Sequence, residues 1–135
     1  MTIENNSCHE TIERKFIDSI DLSDWEIETD SGWKDITSIH KTIEYQEWIL
    51  ETESGKSLIA ADTHILFDEC YRQIFVKDCI PHVTKIITKS GAELVTRVEC
   101  TSSHSNMFDV TVDSDDHRFY SNDILSHNKI GRAHV

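Results

Sequence analysis

From Trp25 onward the chain is a series of short runs rich in Ile, Val, Thr and aromatic residues, separated by small turn-forming clusters. Branched and aromatic side chains suit the pleated surface of a sheet, and short runs broken by Gly, Ser and Asp mark an all-β domain. The clearest turns are Asp30-Ser31-Gly32, Glu53-Ser54-Gly55-Lys56 and Lys89-Ser90-Gly91-Ala92. The pattern predicts strands over 25–29, 43–52, 74–76, 83–88, 94–100, 107–112 and 117–121. Residues 1–24 differ in style. Ile12, Phe16, Ile17 and Ile20 fall on one helical face, and Ser7 followed by Glu10 has capping-box spacing, so one short N-terminal helix is expected there.

With 135 residues the chain has room for one domain around one core. The longest apolar runs, such as Trp48 to Leu50 and Ile65 to Phe67, are far below the ~20 residues of a membrane span. Residues 1–6 lack a basic, apolar leader, so a soluble, intracellular (cytoplasmic) protein is expected, with no membrane partner. Lys and Arg number 13 against 25 Asp and Glu, a formal charge of −12. That charge repels a phosphate backbone, which argues against nucleic-acid binding, and it would steer a basic protein toward the chain. Cys8, Cys70, Cys79 and Cys100 form no C-x-x-C pair, so they are expected to be reduced, mostly buried thiols. No Gly-rich phosphate loop, metal-ligand cluster or dinucleotide fingerprint occurs, and no cofactor or metal is expected.

Residues 107–128 read M-F-D-V-T-V-D-S-D-D-H-R-F-Y-S-N-D-I-L-S-H-N. This stretch resembles the C-terminal splicing block of inteins, in which an aromatic-Asp strand leads to a His, an aromatic, an Asn and a final His-Asn pair. Upstream, Ala61-Asp62-Thr63-His64 resembles the family block in which a His follows a Thr by three residues, with Ala61 here in place of the Thr. The resemblance spans residues 25–128 and implies a compact, horseshoe-shaped Hint (intein) fold. The family's first block, a Cys or Ser nucleophile followed by Asp-Thr, is not found near Met1. Cys8 is followed by His9-Glu10-Thr11-Ile12 instead. The resemblance thus implies an atypically split mini-intein, whose partner is a short N-terminal intein fragment carrying the nucleophile. Residues 129–135 are expected to be a non-native or extein tail. Phage replication and packaging proteins are common hosts in this family.

The implied chemistry assigns a role to each residue. The Asn128 side-chain amide closes a succinimide ring on its own carbonyl and expels the amine of the next residue, and the geometry of such an intramolecular attack can contribute ~7 kcal/mol or more. His127 polarises that carbonyl or stabilises the oxyanion, and His117 moves protons near neutral pH. His64 donates to the upstream scissile amide, and Asp109 stands where the family places an acid that coordinates the two cleavages. His9, His40, His82 and His104 carry no motif and are read as structural. There are further departures from the family pattern. Asp109 to His117 is one residue longer than expected, Asp123 replaces a Gly after the strand Asn, and Lys129 stands where ligation needs Cys, Ser or Thr. Two rival readings follow: an autoprocessing Hint domain that only cleaves, and an acidic β-rich interaction module without chemistry.

Overall fold

The computed structural model describes residues 15–127. They form strands β1 (Phe16–Asp21), β2 (Glu26–Thr29), β3 (Gly32–Thr52), β4 (Ser57–Ala60), β5 (Ile65–Phe67), β6 (Gln73–Phe75), β7 (Lys85–Thr88), β8 (Gly91–Val112), β9 (Arg118–Ser121) and β10 (Ile124–His127), with one 3-10 turn at Val76–Asp78. The strands join in one sheet in the order β1-β3-β8-β7-β10-β5-β6, with β2 and β4 also pairing β3, and β9 pairing β10. The sheet curls into a half-barrel, so the all-β expectation holds. No helix among the described residues is long and apolar enough to cross a membrane.

Two long strands organise the molecule. β3 and β8, of 21 and 22 residues, pair antiparallel from Ile36↔Val112 to Thr52↔Val95. Four register shifts interrupt that ladder, and bulges of this kind bend a strand and let it serve sheets at both ends. The sequence pattern breaks β8 in two because 101–106 is polar. In the structure this stretch still pairs with β3, as at Tyr45↔Ser105 and Gln46↔His104. Cross-strand hydrogen bonds need only a partner backbone, so solvated side chains do not end a strand.

The expected turns at 30–32, 53–56 and 89–92 are all present, and their glycines take positive φ of 103°, 92° and 107°, a region other residues reach at a cost. The main core gathers Leu50, Leu66, Ile86, Val95 and Ile124, all fully buried. Burying each such side chain contributes roughly 1.5–3 kcal/mol. A smaller cluster holds Phe67, Ile87 and Leu125. Successive residues of β10, Ile124 and Leu125, enter different clusters because side chains alternate across a strand.

The expected N-terminal helix is corrected where it can be seen. Phe16–Asp21 is a strand, paired with β3 from Phe16↔Thr42 to Asp21↔Ser38. Ile17 and Ile20 are more than half exposed, and of the described stripe residues only Phe16 packs inward, against His40. The β3 residues on the inner face there, Ser38, His40 and Thr42, are polar and offer a helix no apolar bed, whereas the β3 edge offers backbone partners. The start of the predicted helix, with Ser7, Glu10 and Ile12, and Cys8 lie outside the described residues.

The cysteines also depart in part from expectation. Cys79 is buried, and burial together with Asp78 pushes its thiol up to about 12, so it stays protonated and inert. Cys70 is a free, exposed thiol. Cys100 is disulfide-bonded, against the expectation of reduced thiols throughout.

A buried carboxylate ties two of the turns together. Glu93 accepts from Lys56 Nζ at 2.8 Å, Ser54 Oγ at 2.7 Å and Thr88 Oγ1 at 3.1 Å. Burial alone would raise its carboxyl above the ordinary 4.5, but hydrogen bonds from Lys56, Ser54 and Thr88 outweigh burial and hold it down to about 2. Unfolded Glu93 therefore takes up its proton at higher pH than folded Glu93. The resulting stabilisation is complete above about pH 5 and is lost as pH falls toward 2. Thermal melts should show Glu93→Gln with a lower melting temperature at pH 7 and a shallower fall between about pH 5 and 2 than the parent. Parallel curves would mean that this carboxylate adds no charge-dependent stability.

Candidate functional site

The residues singled out from sequence converge on β10. This strand lies between β5 and β9, with Ser126↔Leu66 and His127↔Ile65 on one side and His127↔Arg118 on the other. The β9–β10 hairpin is closed by Asn122 and Asp123, whose φ values of 50° and 66° are those of a type I′ turn. The ladder on either side, Ile124↔Ser121 to His127↔Arg118, runs without a shift. Asp123 in place of Gly thus leaves the hairpin regular, since Asn and Asp tolerate the left-handed region. Asp123→Gly would relieve the residual strain, and urea unfolding should show it more stable by up to about 1 kcal/mol. A loss of stability would mean that the Asp side chain itself is required.

His117 immediately precedes β9 with a positive φ of 55°. Its ring meets that of His127 edge-on, with centroids 6.3 Å apart. Its Nδ1 is buried and has no hydrogen-bond partner among the described residues. The next residue, Arg118, holds Asp30 through Nη2 at 2.7 Å and Nε at 3.3 Å. Its guanidinium also lies over the rings of Phe67 and Tyr71, at 5.6 and 5.7 Å from their centroids. Phe67 in turn meets the His127 ring at 6.0 Å. The two histidines are therefore braced through β9, β5 and the β2–β3 turn.

His64 ends the turn that leads into β5, with its N–H donating to Ala61 O at 3.1 Å and its carbonyl accepting from Val76 N at 3.0 Å. Its Nε2 lies 2.9 Å from the hydroxyl of Ser126, which is fully buried. Beside it opens a small cleft of about 90 Å³, lined among others by Ala61, His64, Asp109 and Ser121. Asp109, on β8, is almost wholly buried. The fold thus groups His64 with Asp109, and His117 with His127. Because Ser126 and His127 point to opposite sides of β10, the two pairs flank that strand from its two faces. Asn128 follows β10 directly in sequence and lies outside the described residues. Ser126, which contacts His64 and immediately precedes His127, escapes a motif search. Its only signal is a polar residue at an inward position of the run Ile124-Leu125-Ser126-His127.

Among the described residues no cluster of His, Cys, Asp and Glu is arranged to hold a metal. No protein-family model and no curated protein sequence matches this chain. Solved structures do resemble it. The VidaL intein superposes with a TM-score of 0.72 at 23% identity, covering 76% of this chain and 69% of that one. A DnaB intein from Synechocystis sp. PCC 6803 gives 0.69 at 21% identity, over 81% and 82% of the two chains. A consensus engineered intein with an atypical split site gives 0.64 at 17% identity, over 85% and 87%. At these identities the likeness is one of fold, and the chain has the intein (Hint) fold.

Proposed function

We propose that this intein-fold chain is the C-terminal part of a split intein and acts in protein trans-splicing, with Asn128 cyclising to cut the bond that follows it. The observation that carries this reading is the end of β10. There His127 meets His117 at 6.3 Å, and Ser126 contacts His64, on the last residues before Asn128. An imidazole beside the Asn128 carbonyl stabilises the oxyanion of ring closure, and a second moves the proton to the leaving amine. Across the strand, His64 serves the upstream bond, and Asp109, which lines the same cavity, couples that step to cleavage after Asn128.

The partner in this reading is a short N-terminal fragment bearing a Cys or Ser nucleophile. Three features support it. Among the described residues β4 pairs only with β3, which leaves its outer edge able to accept a strand. The neighbouring Ile59 and Phe108 are 57% and 64% exposed beside the His64 cavity, as an apolar contact awaiting cover would be. A charge of −12 favours a basic partner. A second reading, cleavage without ligation, is favoured by Lys129, whose side chain cannot accept an acyl group as Cys, Ser or Thr would.

Intact-mass spectrometry decides between them. The chain is extended after Asn128 by a reporter beginning with Ser and mixed with synthetic N-terminal fragments bearing Cys. A ligated product, with release of a fragment ending in succinimide or Asn128, is expected. Cleavage without ligation would select the second reading. An unchanged mass in an assembled complex would leave only a binding module.

A further inference from the structure

The inner face of the outer half of the β3–β8 ribbon is polar where a core would ordinarily be apolar. Its centre is His40, 8% exposed. His40 is the registered partner of Ser19 on β1 and of Asp109 on β8, so Ser19, His40 and Asp109 form one row across three strands. Directly opposed residues of antiparallel strands point to the same side, with Cβ atoms about 4.5–5.5 Å apart. The His40 ring is held at both nitrogens. Nδ1 lies 2.7 Å from Ser19 Oγ, while Nε2 lies 3.0 Å from Ser38 Oγ and 2.9 Å from Thr111 Oγ1. The Phe16 ring leans on it with centroids 5.6 Å apart.

Buried imidazole and carboxylate side by side are costly to desolvate, and apolar residues of similar volume would hold the strands together at least as well. Hydroxyls can donate or accept, so Ser19, Ser38 and Thr111 satisfy either tautomer of the ring and also its charged form. We infer that His40 is a positioning residue of the candidate site, holding the Asp109 carboxylate in the orientation it presents to the His64 cavity, with β1 setting the His40 ring through Ser19. The functional part of this inference rests on the splicing reading. The positioning itself does not.

The test uses the full chain extended by the Ser reporter, with the N-terminal fragment, in a double-mutant cycle on the rate of cleavage after Asn128. His40→Gln should slow cleavage on the order of 10- to 100-fold, the effect of a small misplacement at a reacting centre. Asp109→Asn should slow it at least as much, and the double variant no further than Asp109→Asn alone. Ser19→Ala, at an exposed position, should slow it less and have no effect on the His40→Gln background. Factors that multiply in the double variant, or His40→Gln cleaving like the parent, would overturn the inference. The Asp109 Cγ resonance of the ¹³C-labelled chain at fixed pH gives a readout independent of splicing. His40→Gln should displace or double it, with Ser19→Ala moving it less in the same direction. If the parent never cleaves but the resonance moves, the splicing reading falls and the positioning stands. A resonance unmoved in folded His40→Gln and Ser19→Ala chains refutes the positioning. Should His40→Gln fail to fold, Ser19→Ala decides alone, and an unchanged rate and resonance there would also refute it.

Discussion

Asn128→Ala abolishes cleavage of the bond after residue 128. No other group on the chain can substitute, because the attacking amide and the attacked carbonyl belong to the same residue. Their closeness is what makes a poor nucleophile competent, a geometric contribution of about 7–11 kcal/mol. Removing the amide returns the bond to the stability of an ordinary peptide. Mass spectrometry of the partner mixture should show no fragment ending at residue 128 after days, where the parent gives one. On the proposed reading, acyl transfer at the upstream junction would depend on His64 and the partner's nucleophile, so thiol-induced release of the upstream segment should persist in the variant. Cutting after residue 128 in Asn128→Ala would refute ring closure as the mechanism.

His127→Ala and His117→Ala should each slow the same cleavage by roughly 10²–10⁴-fold, the range for removing an oxyanion donor or a general acid–base. The two rings touch edge-on at 6.3 Å and share the bracing of Phe67 and Arg118, so they should behave as one unit. The double variant should then be little slower than the worse single one. Both side chains are only half-buried at the end of a hairpin, and circular dichroism should show the β signature retained. Effects below about tenfold in both single variants would move the proton-handling role elsewhere.

Much of this was legible in the residues. Glycines at 32, 55 and 91 mark turns because each needs a positive φ, and that constraint is local. The runs of branched and aromatic residues between them announce strands for the same local reason. The motif residues His64, Asp109, His117 and His127 carry chemistry in their identities, and the fold groups them in two pairs around β10. Other features were hidden because they depend on a partner strand. Phe16–Asp21 has a helical stripe but forms a strand, since the β3 edge offers backbone bonds and the polar inner face of β3 offers no apolar bed. The polar stretch 101–106 continues β8 because β3 lies beside it.

The strand-and-turn alternation, the acidic surface and the motif residues of the candidate site are legible in the residues alone, because all are properties of single residues or near neighbours. Only the tertiary structure decided that Ser126 bridges to His64, that Asn122 and Asp123 build a regular hairpin without Gly, and that His40 stands in one row with Ser19 and Asp109. Register between distant strands sets each of these. Register is fixed by the summed pairing of whole strands, and a shift of one residue would turn every side chain to the other face.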